Sequence, residues 1–290
     1  MTAMSPKTLK ALHPAQRDDI GDLVTRRPVP GPGVEQVDPF LLLNHHGPQI
    51  YGPDNSGLPF GPHPHRGFET VTFILQGELA HRDSAGHESV IKAGGVQWMT
   101  AGSGLVHAEV SPDGFRKAGG PLELLQLWVN LPGRLKMSPP RYVGVQADEI
   151  PLITADQGKA AVRLISGAWS GRTGPIPSLT GVFMTTIALK AGGRAGFGSL
   201  GGRNVFLYVV SGEVKVNGLA VPTWTLAELD LEGDLVEIEA AEDAFVVFGH
   251  AEPIGEPVVA HGPFVMNTRE EIADAIRDYN AGLFDQVGAA

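Results

Sequence analysis

The stretch TVTFILQGELAHRD, residues 70–83, reads as two short strands, 70–76 and 78–83, hinged at Gly77. Apolar and β-branched runs on either side of a lone glycine read as strands broken by a turn. The same form returns in NVFLYVVSGEVKVNG, residues 204–218: strand, Gly-Glu turn, strand, glycine. Further on, LEGDLVEIEAAEDAFVVFGH (231–250) resembles IKAGGVQWMTAGSGLVHAEV (91–110). A repeat of this length, made of short strands, predicts an all-β chain of two stacked jelly-roll β-barrels. The proline-rich stretch 132–140 reads as the linker, which places one barrel in 1–140 and the other in 141–290.

Only the end reads as a helix. In TREEIADAIRDYNAG, Thr268 and Glu271 form a capping box. Ile272, Ala275, Ile276 and Tyr279 make one apolar stripe, and Gly282 is a natural stop. A short C-terminal helix packed on a sheet is expected.

Composition narrows the function classes. The chain has 290 residues, of which 42% are hydrophobic and 19% charged, as in an ordinary globular protein. Its 38 glycines and 23 prolines are spread between apolar runs, which suits a turn-rich β protein. The formal net charge is -10 with no basic stripe, which argues against direct binding to nucleic acid. There is no cysteine, so disulfides, thiolate nucleophiles and zinc-thiolate sites are excluded. Any metal must rest on nitrogen and oxygen ligands. The first twenty residues lack the apolar core of a secretory signal, and no apolar run reaches the about 18–20 residues that span a bilayer. A cytoplasmic, non-membrane protein is expected.

HPHRGFETV, residues 63–71, stands where the first of those apolar strands begins. His63 and His65 are two apart, so on a strand they share a face. Two imidazoles there are awkward in a plain core, because their nitrogens need partners. In GSGLVHAEV, His107 and Glu109 repeat the spacing after a glycine-rich turn. If both strands line one barrel interior, three imidazoles and a carboxylate converge. Without a cation, Glu109 would be costly to bury. Glu69 shares the parity of His63 and His65, so periodicity alone leaves it open as a ligand beside Glu109.

HPHRGFETV, GVQWMTAGSGLVHAEV, DPFLLLNHHGP and EPVVAHGPFVMNT together resemble the pirin family of the cupin superfamily, over about Asp38 to Asp278. The resemblance implies a bicupin, with metal in the N-terminal barrel only. Matched residue by residue, its metal ligands fall on His63, His65, His107 and Glu109; it thus selects Glu109 over Glu69. The cupin pattern is met with small departures: Gly77 closes the first motif one residue late, and Gly102 stands where proline is usual. The resemblance also implies iron, and flavonol dioxygenase activity with quercetin as the usual test substrate. Glu109 would accept the proton of the flavonol 3-hydroxyl, and the heterocycle would open with dioxygen and loss of carbon monoxide. The donor set itself suits Fe, Mn, Co, Ni, Cu or Zn, with affinity order favouring Cu over Fe.

A second function class stays open. Pirins are also described as regulators that contact a transcription factor or metabolic enzyme, and here such contact would run through protein and not DNA. A zinc cupin with hydrolytic or isomerising chemistry is a third possibility. Phe60, Phe73 and Trp98 could wall a planar ligand. His45 could stand at the cavity rim, while His46 departs from the family's usual sequence. His81 and His87 read as neighbours of the site or surface residues, and Arg66 as the partner of a carboxylate. His13 reads as solvated, and His250 and His261 as satisfied by backbone. In the second half, counting from the Gly-Glu turn and from Gly233 puts Gly198, Leu200, Phe245 and Val247 where the first half has its four ligands. That barrel is expected to lack a metal site.

Overall fold

Gly77 sits at φ +82°, a conformation that suits glycine, and turns the chain between the strands Phe68–Gln76 and Glu78–Asp83. The two strands then part into different sheets. The computed structural model describes residues 5–286. Most of these residues are strand or turn, with α-helices at Asp113–Ala118 and Arg269–Asn280. The all-β expectation holds. The helix at 113–118 is an addition that the sequence reading missed: six residues after Pro112 carry too little apolar periodicity to register. No helix among the described residues is long and apolar enough to cross a membrane.

The chain forms two units, and they are not the contiguous halves expected at 1–140 and 141–290. One consists of Arg17–Arg26, Phe40–Ala147 and Ile254–Ala290; the other of Met1–Gln16, Arg27–Pro39 and Asp148–Pro253. The N-terminal strand Leu9–Pro14 pairs with Thr225–Leu229, in the second of these. The C-terminal helix, with its Thr268–Glu271 capping box in place, packs Ile272 and Ala275 against Phe264, Met266 and Phe284 of the first. The stretch 132–140 is no loose linker. Leu131 and Lys136 within and beside it are buried, and the Lys136 ammonium donates to Gly67 O, Asn130 Oδ1 and Val265 O at 2.9, 2.6 and 3.0 Å.

In the histidine-bearing unit a seven-stranded sheet begins, from one edge, in the order Arg141–Val145, Val96–Thr100, Phe68–Gln76, Gly120–Asn130, Phe40–Tyr51. A four-stranded sheet runs Phe60–His65, Leu105–Val110, Glu78–Asp83, Glu88–Lys92. Pairing is antiparallel throughout these strands. Alternation decides what each face carries. On Phe68–Gln76 the even residues Phe68 and Thr72 meet the four-stranded sheet, through a ring contact to His65 and a hydrogen bond to Glu109. The odd residues Glu69, Val71 and Phe73 face the other way and are equally buried. The strand is apolar on both sides because it is covered on both sides. Val71, Phe73, Leu125, Leu127 and Val129 are each at most 1% exposed, a burial worth roughly 1.5–3 kcal/mol per side chain.

The companion unit has the same plan. Its seven-stranded sheet is joined by a four-stranded one in the order Arg194–Phe197, Val236–Ala240, Val214–Val216, Leu219–Val221. Its interior is an apolar cluster that includes Phe197, Leu207, Val214, Val216, Val236, Ile238, Val246 and Phe248.

Candidate metal centre

His63 and His107 are directly opposite each other on neighbouring strands, and His65 pairs with Leu105 two positions on. The strand spacing therefore brings all three rings to one side of the four-stranded sheet. Ring centroids are 4.4 Å apart for His63–His107, 4.8 Å for His63–His65 and 5.0 Å for His65–His107. One ligand atom from each lies within 4.8 Å of the others, the spacing of groups that hold one ion. His65 and His107 are buried and His63 is half-buried.

The rings are prepared as nitrogen donors. His63 Nδ1 bonds the Gly61 carbonyl at 2.7 Å, and His65 Nδ1 bonds the Pro263 carbonyl at 3.2 Å. A carbonyl can only accept, so each Nδ1 carries the proton and each Nε2 keeps its lone pair. Backbone carbonyls commonly orient metal-binding histidines in this way. His107 is the odd member: both ring nitrogens are buried with no hydrogen-bond partner. Such an orphan is costly unless something absent from the protein alone takes it. Burial, and then the neighbouring His63, lowers His65 to about 3. Burial, followed by His65, His63 and His81, pushes His107 well below the usual histidine range. Neutral imidazole is the metal-binding form. The residues fit a metal ion.

Glu109 is on the same strand face as His107 and is buried, but its oxygens are not among the atoms that converge. Thr72 donates to Oε1 at 2.9 Å, Gln97 to the same oxygen, and Gln126 to Oε2 at 2.6 Å. Thr72 pairs with Gln97 on one side and Gln126 on the other, so three adjacent strands present these donors in a row. They fix the carboxylate beside the histidines with no cation among them.

Glu69 is elsewhere. Between His65 and Phe68 the chain leaves one sheet for the other through Gly67 at φ +90°, which breaks the alternation on which the parity argument relied. Glu69 points to the opposite face from Thr72 and accepts from Thr100 at 2.6 Å. The same alternation removes Phe73 and Trp98 from the proposed wall, since they share the face of Glu69. Phe60 stays on the side of the site, half-buried against His46 at 5.2 Å. The aromatic rings that do flank His65 are Phe68 at 5.0 Å and Trp128 at 5.4 Å, and the Trp128 Nε1–H is buried without a partner. Tyr142 stacks on His81 at 4.1 Å and donates to Gln97 at 3.1 Å. Motif reading passed over Thr72, Gln97, Gln126, Trp128 and Tyr142. The signal available was cross-strand register, which one sequence does not print.

Other histidines take structural places. His45 is buried on the face of Glu123, which its Nε2 reaches at 2.9 Å; it is not at a rim. His46 Nδ1 lies 2.8 Å from Thr25 Oγ1. His13 is buried against Glu228 at 3.0 Å and not solvated. His250 accepts from the Arg203 side chain at 2.7 Å, where backbone was expected. Arg66 pairs with Asp278 at 2.8 Å, as expected of it.

Topology also corrects the registration of the second half. In both units the strand after the Gly-Glu turn pairs with the strand in question: His81 with Glu109, and Val216 with Ile238. The counterparts of His63, His107 and Glu109 are therefore Phe197, Val236 and Ile238, all in the apolar cluster. Counting from Gly233 had landed one strand too late, on Ala244–Ala251.

Comparison with known proteins agrees with this geometry. The Pirin family model matches residues 22–129, and the Pirin C-terminal cupin domain model matches residues 184–285. A Pseudomonas aeruginosa protein, provisionally named a quercetin 2,3-dioxygenase, is 39% identical over 250 residues, covering 86% of this chain and 87% of its own. Pirin of Rattus norvegicus is 38% identical over 287 residues, covering 96% and 93%. The crystal structure of a quercetin 2,3-dioxygenase from Acinetobacter baumannii superposes with a TM-score of 0.90 at 35% identity, covering 97% of this chain and 99% of that one. Two cupin units, a three-histidine cluster and similarity over nearly the whole length lead to one conclusion: this chain belongs to the pirin family.

Proposed function

We propose that the protein is a mononuclear iron dioxygenase acting on flavonol-like aromatic substrates, of the quercetin 2,3-dioxygenase type. The observation that carries the reading is the cluster of His63, His65 and His107, with two rings pinned through Nδ1 and the third left with two buried, unpartnered nitrogens. These three would hold the metal, with Glu109 the fourth ligand. When bound, iron supplies a Lewis-acidic and redox-active centre for the reaction of the flavonol with dioxygen.

The chain's own groups account for the rest. Glu109 is the proton acceptor for the flavonol 3-hydroxyl, being the buried carboxylate two residues from His107 on the same strand face and held in place by Thr72, Gln97 and Gln126. Phe68 and Trp128 offer aromatic surface beside His65, and the unpartnered Trp128 N–H offers a donor to a substrate oxygen. The names of the Pseudomonas and Acinetobacter relatives support the substrate class.

The test is aerobic loss of quercetin absorbance by iron-loaded protein. Turnover that disappears in His65→Ala supports the enzyme. Iron-loaded protein that leaves quercetin intact, and captures a protein partner only when metal is bound, would replace this reading with the regulatory one.

A further inference from the structure

His81 is fully buried on the strand Glu78–Asp83, directly opposite Glu109 and one position diagonal to His107. Its ring centroid lies 5.4 Å from that of His107. Its Nε2 is 3.1 Å from Asp83 Oδ2, and the Asp83 side chain is only 1% exposed. Asp83 is in turn held by the backbone N–H groups of Ala85 and His87, each at 3.0 Å. A carboxylate accepts, so the His81 proton is on Nε2 and Nδ1 is left with a lone pair. That Nδ1 is buried and has no partner.

Two orphans therefore lie side by side. If one His107 nitrogen is given to a metal, the other carries a proton that needs an acceptor. Of the rings around it, His63 and His65 have their Nδ1 atoms committed to Gly61 and Pro263 and are ligands themselves. His81 is the remaining ring, and it offers the missing lone pair. The companion unit, with Val236 in place of His107, has Val216 in place of His81. The two histidines are present together or replaced together.

We infer that His81 is the positioning residue of the third metal ligand: its Nδ1 accepts from the free ring N–H of His107, with Asp83 holding its tautomer. Where His63 and His65 are oriented by backbone carbonyls, His107 is oriented by an imidazole backed by a carboxylate. The inference rests on the metal-site reading above. His81 acts through His107 and contacts neither metal nor substrate in this role.

The experiment is a calorimetric titration of the full-length apoprotein with Co(II), followed by the visible absorption spectrum of the loaded protein. Wild type, His107→Ala, His81→Phe and His81→Gln are compared. His81→Phe keeps a flat ring against Tyr142 but has no acceptor; His81→Gln keeps an acceptor oxygen. Affinity should fall about ten- to hundredfold in His81→Phe, the usual cost of losing an orienting partner. Its Co(II) bands should shift, and His81→Gln should recover most of both. Should His81→Phe fail to fold, His81→Leu against His81→Gln reads the same difference. Equal affinity and superimposable spectra for wild type and His81→Phe overturn the inference, as does His81→Gln behaving like His81→Phe. A wild type that binds no Co(II), or a His107→Ala that binds it equally well, overturns instead the metal-site reading.

Discussion

Thr72 and Glu69 stand three residues apart on one strand and face opposite ways: Thr72 donates to Glu109 at 2.9 Å, while Glu69 accepts from Thr100 at 2.6 Å. The two carboxylates that spacing left in competition are thus on opposite sides of a sheet. Glu109→Ala should lower the metal content of purified protein well below that of wild type, whereas Glu69→Ala should leave it unchanged at about one equivalent per chain. Elemental analysis decides. Loss of metal in Glu69→Ala with retention in Glu109→Ala would reverse the assignment.

Glu69 carries a pH signature of its own. Burial, only partly offset by the Thr100 hydroxyl and the Trp98 side chain, raises its pKa to about 7 from 4.5. A raised folded-state pKa means that the folded chain holds the proton more tightly than the unfolded chain. The stability this contributes is complete below about pH 4.5 and is lost as pH rises through 7. The full effect is on the order of 3–4 kcal/mol. Glu69→Gln should therefore match wild type near pH 4 and be the more stable of the two at pH 8. Urea midpoints at the two pH values test this. A wild type whose advantage grows toward pH 8 would contradict it.

The unequal legibility of fold and site has a physical basis. The turn at Gly77, the paired histidines and the capped helix are local patterns, governed by alternation and by turn and cap chemistry that neighbouring residues specify. What closes the site is non-local. Gln97 and Gln126 are 12 and 17 residues from the Glu109 they hold, and Pro263 is 198 residues from the His65 it orients. Parity arguments carry across a strand but not across a break such as Gly67. The strand Leu9–Pro14 could not be assigned to its unit, because a six-residue alternating segment does not state which edge it will join.

Gly67 is also hard to replace. It sits at φ +90°, and an added Cβ would overlap the Val265 carbonyl oxygen and crowd the Met266 sulfur at 2.7 Å. Its own carbonyl accepts from Lys136 at 2.9 Å, and its N–H donates to Gly102 at 2.8 Å. Neither the φ nor the space admits a side chain. Gly67→Ala should lower unfolding stability by more than about 2 kcal/mol, since strain and overlap act together. Metal content should fall with it, because His65 is two residues away and bonds the same C-terminal segment through Pro263. An effect within about 0.5 kcal/mol, typical of a neutral surface change, would show that the turn relaxes freely.

Metal should stabilise one unit and not the other. His63, His65 and His107 all belong to the unit containing Phe40–Ala147, and the interior of the companion unit is apolar at the matching positions. A ligand that binds only the folded site stabilises by about 2.7 kcal/mol at a hundredfold excess over its Kd. An unfolded chain does not hold three rings within reach of one ion, so this linkage is close to its full value. Calorimetric melting with and without iron or cobalt should show one transition rising by several degrees and the other fixed. His63→Ala and His107→Ala should each abolish the rise and bring bound metal near zero. A shift that survives in both variants would place the ion somewhere other than the three-histidine cluster.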